Sequence, residues 1–137
     1  MKKILLFLTG ILFVSCASKQ NGIENSSIEI LTQKVAIDKT LSFKIEKIIS
    51  DSRCPENVQC IRLGEVALIL GVYENNSKTE EVQLTIDAKH FEENKRFLES
   101  KISDKNKVIS NIEILPKKIE GKKVEINNYK LIIEFTK

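Results

Sequence analysis

The sequence predicts an all-β fold, either a sandwich or a small barrel of about six to eight mostly antiparallel strands, with one short helix near residues 88–102. Three observations support this prediction. Several short segments alternate apolar and polar side chains, as strands with one buried face do. Turn-forming residues separate these segments. A single segment carries apolar side chains at helical spacing. We expect these elements to form one β-rich domain over residues 28–137.

The predicted strands are of two types. Five segments alternate and are expected to bury one face, and these are residues 28–30, 35–37, 41–46, 82–87 and 131–135. Residues 66–72 are apolar on both faces and rich in Val, Leu and Ile, which predicts a central strand. Residues 108–115 are predicted as a strand that ends at Pro116, because proline has no amide to donate. Turns are predicted at residues 74–78, 120–122 and 127–128.

The predicted helix is the one departure from strand patterning. Phe91, Leu98 and Ile102 fall on one helical stripe, and Phe97 lies beside it. Asp87 comes before this stripe and is expected to cap the N-terminus of the helix. We expect the helix to pack on the sheet or across the mouth of a barrel.

The first fifteen residues have the three parts of a secretory signal peptide. Met1–Lys3 is positively charged, Ile4–Val14 is an apolar run of 11 residues, and Ser15 is a small residue at the expected cleavage site. A helix of that run would reach only about 17 Å, which is less than the hydrocarbon core of about 30 Å. Residues 1–15 are therefore predicted to be removed on export.

The segment Leu12–Cys16 resembles the lipobox of bacterial lipoproteins, with Phe13 where leucine is usual. The resemblance implies that Cys16 is acylated and becomes the first mature residue. Acyl chains on Cys16 would then hold the protein at a membrane of the bacterial cell envelope, and residues 16–27 would form a lipidated cysteine and a flexible tether. The residues after Cys16 are not acidic, which favours a periplasm-facing orientation.

The composition gives no support to nucleic-acid binding. Loss of residues 1–15 leaves 122 of the 137 residues and removes Lys2 and Lys3 from the 22 basic side chains, so that 20 basic and 19 acidic side chains remain. The formal charge therefore falls from +3 to +1. Lysine and glutamate are interspersed, as on a solvated surface. The mature sequence has no basic cluster with aromatic residues.

Cys54 and Cys60 are predicted to form a disulfide. They are an even pair once Cys16 carries lipid, and exported domains meet an oxidising compartment. A metal site is not expected, because several ligands must converge and the single histidine, His90, is not at ligand spacing. A thioredoxin-type redox site has two residues between its cysteines, whereas this loop has five. No cofactor is therefore predicted.

The segment Asp51–Glu65 resembles a pattern found in secreted or lipid-anchored bacterial proteins that have no established activity. In that pattern an acidic-Ser-Arg-Cys-Pro start precedes a second cysteine, a Trp-Ala-Gly step and a strand. The matching residues are Asp51, Arg53, Cys54, Pro55, Cys60, Gly64 and Glu65. Arg62 and Leu63 depart from it, because they stand where the family has Trp and Ala. The resemblance covers most of residues 40–137 and implies an all-β domain.

The sequence predicts a protein that is not an enzyme. His90 is a candidate general base, but no nucleophile with an orienting carboxylate adjoins it in sequence. The adjacent carboxylates Glu80–Glu81 and Glu92–Glu93 do not share a face of a strand or helix, so their spacing does not indicate an acid–base pair.

The candidate partner surface lies on the loop that the disulfide stiffens. Five charged residues cluster there, namely Asp51, Arg53, Glu56, Arg62 and Glu65. A rigid loop loses less entropy on binding, which favours recognition. The simpler alternative is that Asp51 and Arg53 pair with each other or with local backbone.

Three functions follow from these observations as hypotheses. The leading one is a lipid-anchored, non-enzymatic envelope protein that binds a protein or another envelope component. The first alternative is an inhibitor of an envelope-directed hydrolase such as lysozyme, which is an analogy at the level of the fold. The second alternative is a hydrolytic or redox enzyme that uses His90 or the two cysteines.

Overall fold

The computed structural model describes residues 26–136. The predicted signal peptide, Cys16 and most of the predicted tether lie outside these residues. The first strand begins at Ser26, two residues before the predicted start of the domain, because Ser26 and Ser27 pair with Phe135 and Glu134 of the last strand. The last two residues assigned to the tether are therefore part of a sheet.

Within residues 26–136 there are seven strands and one α-helix, which confirms the prediction of an all-β fold with one short helix. The strands are β1 (Ser26–Ile30), β2 (Val35–Ala36), β3 (Leu41–Asp51), β4 (Val66–Glu74), β5 (Ser77–Ile86), β6 (Val108–Leu115) and β7 (Lys130–Thr136). The helix α1 covers Phe91–Lys101, and a short 3-10 helix covers Ile126–Asn128. None of the described helices is both long enough and apolar enough to cross a membrane.

The strands form two antiparallel sheets that share one core. The first sheet has the order β1-β7-β6 and the second has the order β2-β3-β4-β5. Fully buried side chains of both sheets, among them Phe43, Leu70 and Ile133, belong to one hydrophobic cluster. Because strand pairing does not close the sheets into a ring, the architecture is that of a sandwich rather than a barrel.

The patterns located the buried parts of the strands but missed polar extensions. β4 lies between β3 and β5, as its apolar faces predicted. β3 extends to Asp51 and contains two register shifts, so its second half does not alternate regularly. β5 begins at Ser77 and pairs with β4 along five exposed residues before its first partly buried one, Val82. These extensions are held by backbone pairing, which leaves no apolar pattern in the sequence.

The predicted turn between β4 and β5 is confirmed. Asn75 and Asn76 have φ of 50° and 68°, which is the left-handed conformation that both central residues of a two-residue hairpin adopt. Asparagine enters this region more readily than most residues, so the sequence choice agrees with the geometry.

The helix is shorter at its start than predicted. α1 begins at Phe91, and Leu98 and Ile102 are buried as expected from the stripe. Its N-cap residue is His90, whose side chain makes no cap hydrogen bond. The Asp87 carboxylate instead accepts the backbone N–H of His90 at 2.7 Å, which closes the turn that leads into the helix.

The two ends of the three-stranded sheet carry different segments. Ser26, where the described chain enters β1, pairs with Phe135, and Val108 pairs with Thr136 at the same end. Leu115 and Lys130 pair at the other end, where the β3–β4 loop packs against the segment that follows β6. The eight residues of β6 separate these ends by roughly 25 Å.

Candidate functional site

A long loop, residues 52–65, joins β3 to β4 and carries the cysteine segment. Cys54 and Cys60 are bonded, with their Cα atoms 5.9 Å apart, which confirms the predicted pairing. The arms of the loop continue the β3–β4 ladder, because the Ser52 amide donates to the Glu65 carbonyl at 2.9 Å and the Cys54 amide to the Leu63 carbonyl at 2.7 Å. The loop is therefore fixed by backbone pairing as well as by the covalent bond.

Gly64 allows the two arms to approach this closely. Its φ is +70°, a conformation that residues with a Cβ rarely adopt. A Cβ at this position would lie 2.0 Å from the Ser52 carbonyl oxygen, so any other residue would push the arms apart.

Asp51 and Arg53 form a nearly buried, two-point ion pair at the base of the loop. Asp51 Oδ1 accepts from Arg53 Nε at 3.0 Å, and Asp51 Oδ2 accepts from Arg53 Nη2 at 2.7 Å. Their side chains are only 9% and 14% exposed. The Tyr129 hydroxyl donates to Asp51 Oδ2 at 2.9 Å. The structure therefore shows the simpler alternative, in which these two residues pair with each other.

This ion pair shifts the pKa values of the groups around it. Burial on its own raises the pKa of Asp51, but the hydrogen bonds from Arg53 and Tyr129 outweigh that effect and hold the pKa below its ordinary value. Burial and the hydrogen bond to Asp51 raise the pKa of Tyr129 to about 12. At neutral pH the carboxylate is thus charged and the phenol is protonated.

The same pair ties the loop to both sheets. Arg53 Nη1 donates to the Ile114 carbonyl of β6 at 2.8 Å, and Lys118 Nζ donates to the Asp51 carbonyl at 3.0 Å. The tip of the loop is held by the segment after β6, since the Glu56 amide donates to the Lys118 carbonyl at 3.0 Å. Asp51 and Arg53 thus brace the loop, and their polar atoms face inward.

The other three charged residues of the candidate surface are exposed. The side chains of Glu56, Arg62 and Glu65 have no hydrogen-bond or ion-pair partner within residues 26–136. The five predicted surface residues therefore divide into a bracing pair and three solvated side chains.

Two residues that sequence reasoning did not select are the most exposed of the large apolar residues on this loop. Ile61 is fully exposed and Leu63 is 81% exposed, and Arg62 stands between them. Large apolar side chains presented together on a rigid loop are typical of contact surfaces. The available signal was two large apolar residues close together in a mostly polar loop between two predicted strands.

A groove of about 910 Å³ adjoins the loop. Its lining includes Arg62 and Leu63 from the loop, Ile86 at the end of β5 and Phe91 at the start of α1. The edge of β6 between Ser110 and Ile114 completes the lining. The groove volume lies within the range of about 300–1,000 Å³ found for ligand sites.

His90 lines a different cavity from the groove beside the loop, together with Thr85 and Asn94. Its Nδ1 lies 2.7 Å from Asp87 Oδ1, the same oxygen that accepts the His90 backbone N–H. Hydrogen bonds and burial have opposite effects on the Asp87 carboxyl: burial raises its pKa, whereas the bonds from His90 lower it, and the net shift is downward. Within the described residues, no hydroxyl or thiol is hydrogen-bonded to His90, and no group of three acidic, histidine or cysteine side chains is arranged to hold a metal ion.

Comparison with protein-family models, with curated proteins and with solved structures finds no match to this chain.

Proposed function

We propose that the chain is a lipid-anchored, non-enzymatic binding protein of the bacterial envelope, which contacts a protein partner through the loop of residues 52–65. The observation that carries the proposal is the exposure of Ile61 and Leu63 on a loop that is braced covalently and by the Asp51–Arg53 pair. An exposed apolar pair has no packing role in the isolated domain, and a braced loop loses little entropy when it binds.

The position of the loop is compatible with an anchored domain that presents the loop to a partner. The chain enters β1 at Ser26, at the end of the three-stranded sheet opposite to the loop. An anchor at Cys16 with a tether of about ten residues has a root-mean-square span of roughly 16–19 Å. In the proposed arrangement the end of the domain that carries Ser26 is nearest to the membrane, and Ile61 and Leu63 lie toward the far end, where a partner can reach them.

The apolar pair offers enough contact energy to act as the centre of an interface. Full burial of an isoleucine or a leucine contributes about 1.5–3 kcal/mol each. Interface energy is usually concentrated in a few such side chains, surrounded by polar groups that exclude water. Glu56, Arg62 and Glu65 are exposed on the same loop and provide a polar rim.

The non-enzymatic part of the proposal rests on the roles that the reactive side chains already have. Cys54 and Cys60 are consumed by the disulfide. His90 and Asp87 close the turn before α1. Cys54 and Asp87 line the groove, but within residues 26–136 neither is hydrogen-bonded there to an activated nucleophile, which hydrolytic chemistry requires.

Inhibition of an envelope-directed hydrolase such as lysozyme is a second candidate, favoured by one observation. Ile61 is fully exposed on a braced loop, which is a shape that enters an active-site cleft. Turbidity assays of lysozyme on cell walls test it. Inhibition that the double variant Ile61→Ser and Leu63→Ser abolishes would support it, and full lysozyme activity at micromolar concentrations of the protein would exclude this enzyme.

Two experiments test the leading proposal. Mass spectrometry of the mature protein should find residues 1–15 absent and acyl chains on Cys16, and an unmodified Cys16 would contradict the anchor. Photo-crosslinking from position 61 in intact cells should give a discrete protein adduct. A crosslinker at position 108, which carries a half-exposed valine at the opposite end of β6, is the matched control. Equal adducts from both positions would contradict the assignment of the loop.

A further inference from the structure

The two sheets leave an open seam where their edge strands meet. β5 and β6 are edge strands, and α1 packs against both of them. Two helix side chains bind the exposed backbone there. Asn94 Nδ2 donates to the Thr85 carbonyl of β5 at 2.8 Å, and Glu99 accepts the Ile109 amide of β6 at 2.9 Å. The helix thus supplies hydrogen-bond partners to exposed backbone groups in one half of the seam.

In the other half of the seam, within residues 26–136, the Ile114 carbonyl at the far end of β6 has a side-chain hydrogen-bond partner. Arg53 Nη1 donates to the Ile114 carbonyl, so the backbone groups of Ile114 point away from β7. Alternate residues of a strand point the same way, and the N–H and C=O of Ile112 must therefore also face outward. Within residues 26–136, no loop, helix or strand on that side gives Ile112 a hydrogen-bond partner.

A bulge in β6 explains why this edge remains outward-facing while its side chains are buried. The register with β7 shifts between Ile109 and Asn111. Ile109, on one side of the shift, and Ile112 and Ile114, on the other, all have buried side chains. The bulge therefore keeps the apolar side chains in the core and turns their backbone polar groups toward the seam.

The groove of about 910 Å³ lies over this unpaired stretch of β6. Its lining includes large apolar side chains, among them Leu63 from the loop and Phe91 from α1. An unpaired strand edge beneath apolar walls is a template for an added strand, because main-chain hydrogen bonds give affinity and flanking pockets receive alternate side chains.

The charges of the groove favour an acidic occupant. Its lining has two carboxylates: Glu113 is paired with Lys117 at 3.0 Å, and Asp87 is hydrogen-bonded to His90 and keeps its negative charge. Arg62 and Lys89 also line the groove and have no acidic partner in the described part of the chain. The excess charge at the groove is therefore positive.

We propose that this groove binds an extended acidic segment of a protein partner, which adds to β6 as a further strand and pairs with the backbone of Ile112. The proposal deepens the binding function proposed above and rests on it. A fatty acyl chain would fill the apolar walls but would leave the Ile112 amide and carbonyl without partners, which is unfavourable for buried groups.

A defined peptide tests the proposal. The probe is a short synthetic peptide of alternating valine and glutamate, capped at both ends, titrated into the purified mature chain carrying Cys16→Ser. We expect saturable binding and slower hydrogen exchange of the Ile112 amide. The same peptide with alternate amides N-methylated cannot pair with a strand edge, and should not bind.

Charge variants test the position of the site. Arg62→Glu combined with Lys89→Glu should weaken peptide binding by about tenfold or more, since two favourable charges become unfavourable. Lys105→Glu, at an exposed lysine near the other end of β6, is the control and should leave the affinity unchanged. Neither substitution removes a packed side chain, so both variants should unfold at the same urea concentration as the parent.

Several results would overturn the proposal. They are absence of peptide binding at millimolar concentration, equal binding of the N-methylated peptide, unchanged exchange at Ile112, or oleate binding in the groove when the peptide does not bind. The protein used in this experiment carries Cys16→Ser and no acyl group, so the outcome does not depend on the anchor. If the peptide fails while crosslinking through position 61 succeeds, the groove is excluded and the loop-based function stands. If the peptide binds while no adduct forms from position 61, the groove is retained with its lining residues Arg62 and Leu63, and Ile61 is excluded as a contact.

Discussion

The Tyr129 hydroxyl donates a 2.9 Å hydrogen bond to the Asp51 carboxylate, which joins two residues that are 78 positions apart in the chain. Tyr129 directly precedes β7, and Asp51 ends β3. This bond therefore links the two sheets at the end of the sandwich where the loop emerges. It also completes the hydrogen bonding of a carboxylate that Arg53 already holds at both oxygens.

Tyr129→Phe should lower the free energy of unfolding by about 1–2 kcal/mol, because it removes a hydrogen bond to a nearly buried charge. Tyr73→Phe is the matched control, since Tyr73 donates to Glu46 and that carboxylate keeps two lysine partners. Urea unfolding should show the larger loss of stability at Tyr129.

The stabilisation by this hydrogen bond also depends on pH in a definite direction. The pKa of Tyr129 is raised from 10.0 to about 12, so its contribution is complete below pH 10 and is lost as the pH rises toward 12. The Phe variant should lack that part of the alkaline loss, and equal alkaline slopes would contradict the bond.

Glu46→Gln should reduce the acid sensitivity of the domain. Burial alone raises the pKa of Glu46, but hydrogen bonds from Lys44, Tyr73 and Lys78 outweigh it and lower the pKa from 4.5 to about 2. A carboxyl with a depressed pKa stabilises the folded state above pH 4.5, and that stabilisation is lost as the pH falls toward 2. Thermal unfolding between pH 5 and pH 2 should therefore show a shallower decline in the Gln variant. Glu56→Gln, on an exposed side chain, should leave the decline unchanged.

Gly64→Ala should destabilise the domain far more than Gly121→Ala. Both glycines have positive φ, of 70° and 73°. At Gly121 a Cβ would meet nothing within 4 Å, so only the backbone strain of about 1 kcal/mol applies. At Gly64 the added Cβ would collide with the Ser52 backbone, and we expect a loss of about 3 kcal/mol or more in chemical denaturation. Equal losses would show that the arms of the loop separate freely.

Replacement of both Cys54 and Cys60 by serine should lower stability by about 2.4 kcal/mol, the chain-entropy value for a closed loop of about seven residues. The fold should survive, because the arms of the loop are also paired through backbone and the Asp51–Arg53 bridge. Urea unfolding of this variant should match that of the parent protein under reducing conditions. Complete unfolding of the variant at neutral pH would show that the disulfide holds the whole domain.

Ile61→Ser and Leu63→Ser together should leave the free energy of unfolding within about 0.5 kcal/mol per substitution, as expected for exposed positions. Leu98→Ala, which empties a fully buried site under α1, should cost about 2–5 kcal/mol and serves as the contrast. A large loss at positions 61 and 63 would place these side chains in the core and remove the reason to assign them a partner.

Periodicity was sufficient for the elements whose apolar side chains mark a buried face. The alternation at Leu41–Glu46 and the apolar run at Val66–Val72 both predicted the strands that the structure contains. The polar half of β5 escaped prediction, because backbone pairing with β4 holds it and its side chains are exposed. Asp87 was expected to cap the helix. Its carboxylate instead accepts the backbone N–H of His90 and closes the turn that precedes α1.

The candidate site was predicted only in part, because local sequence patterns carry no information about contacts between distant segments. The pairing of Cys54 with Cys60 was expected from export and an even count, and the structure confirms it. The contact between Arg53 and the Ile114 carbonyl was beyond sequence reasoning, because it joins segments 61 residues apart and involves a backbone group that every residue has. The exposure of Ile61 and Leu63 also depends on the course of the loop and not on the residue types.

The sequence by itself determined the all-β class, the central strand, the single helix, the disulfide and the prediction of an exported, acylated chain. Each of these is encoded in local spacing or composition, which act over a few neighbouring residues. Only the tertiary structure decided that Asp51 and Arg53 brace the loop, that Ile61 and Leu63 are exposed, and that no strand within residues 26–136 pairs with the outer edge of β6. These features depend on which distant strands become neighbours, and that is set by the packing of two sheets over one core.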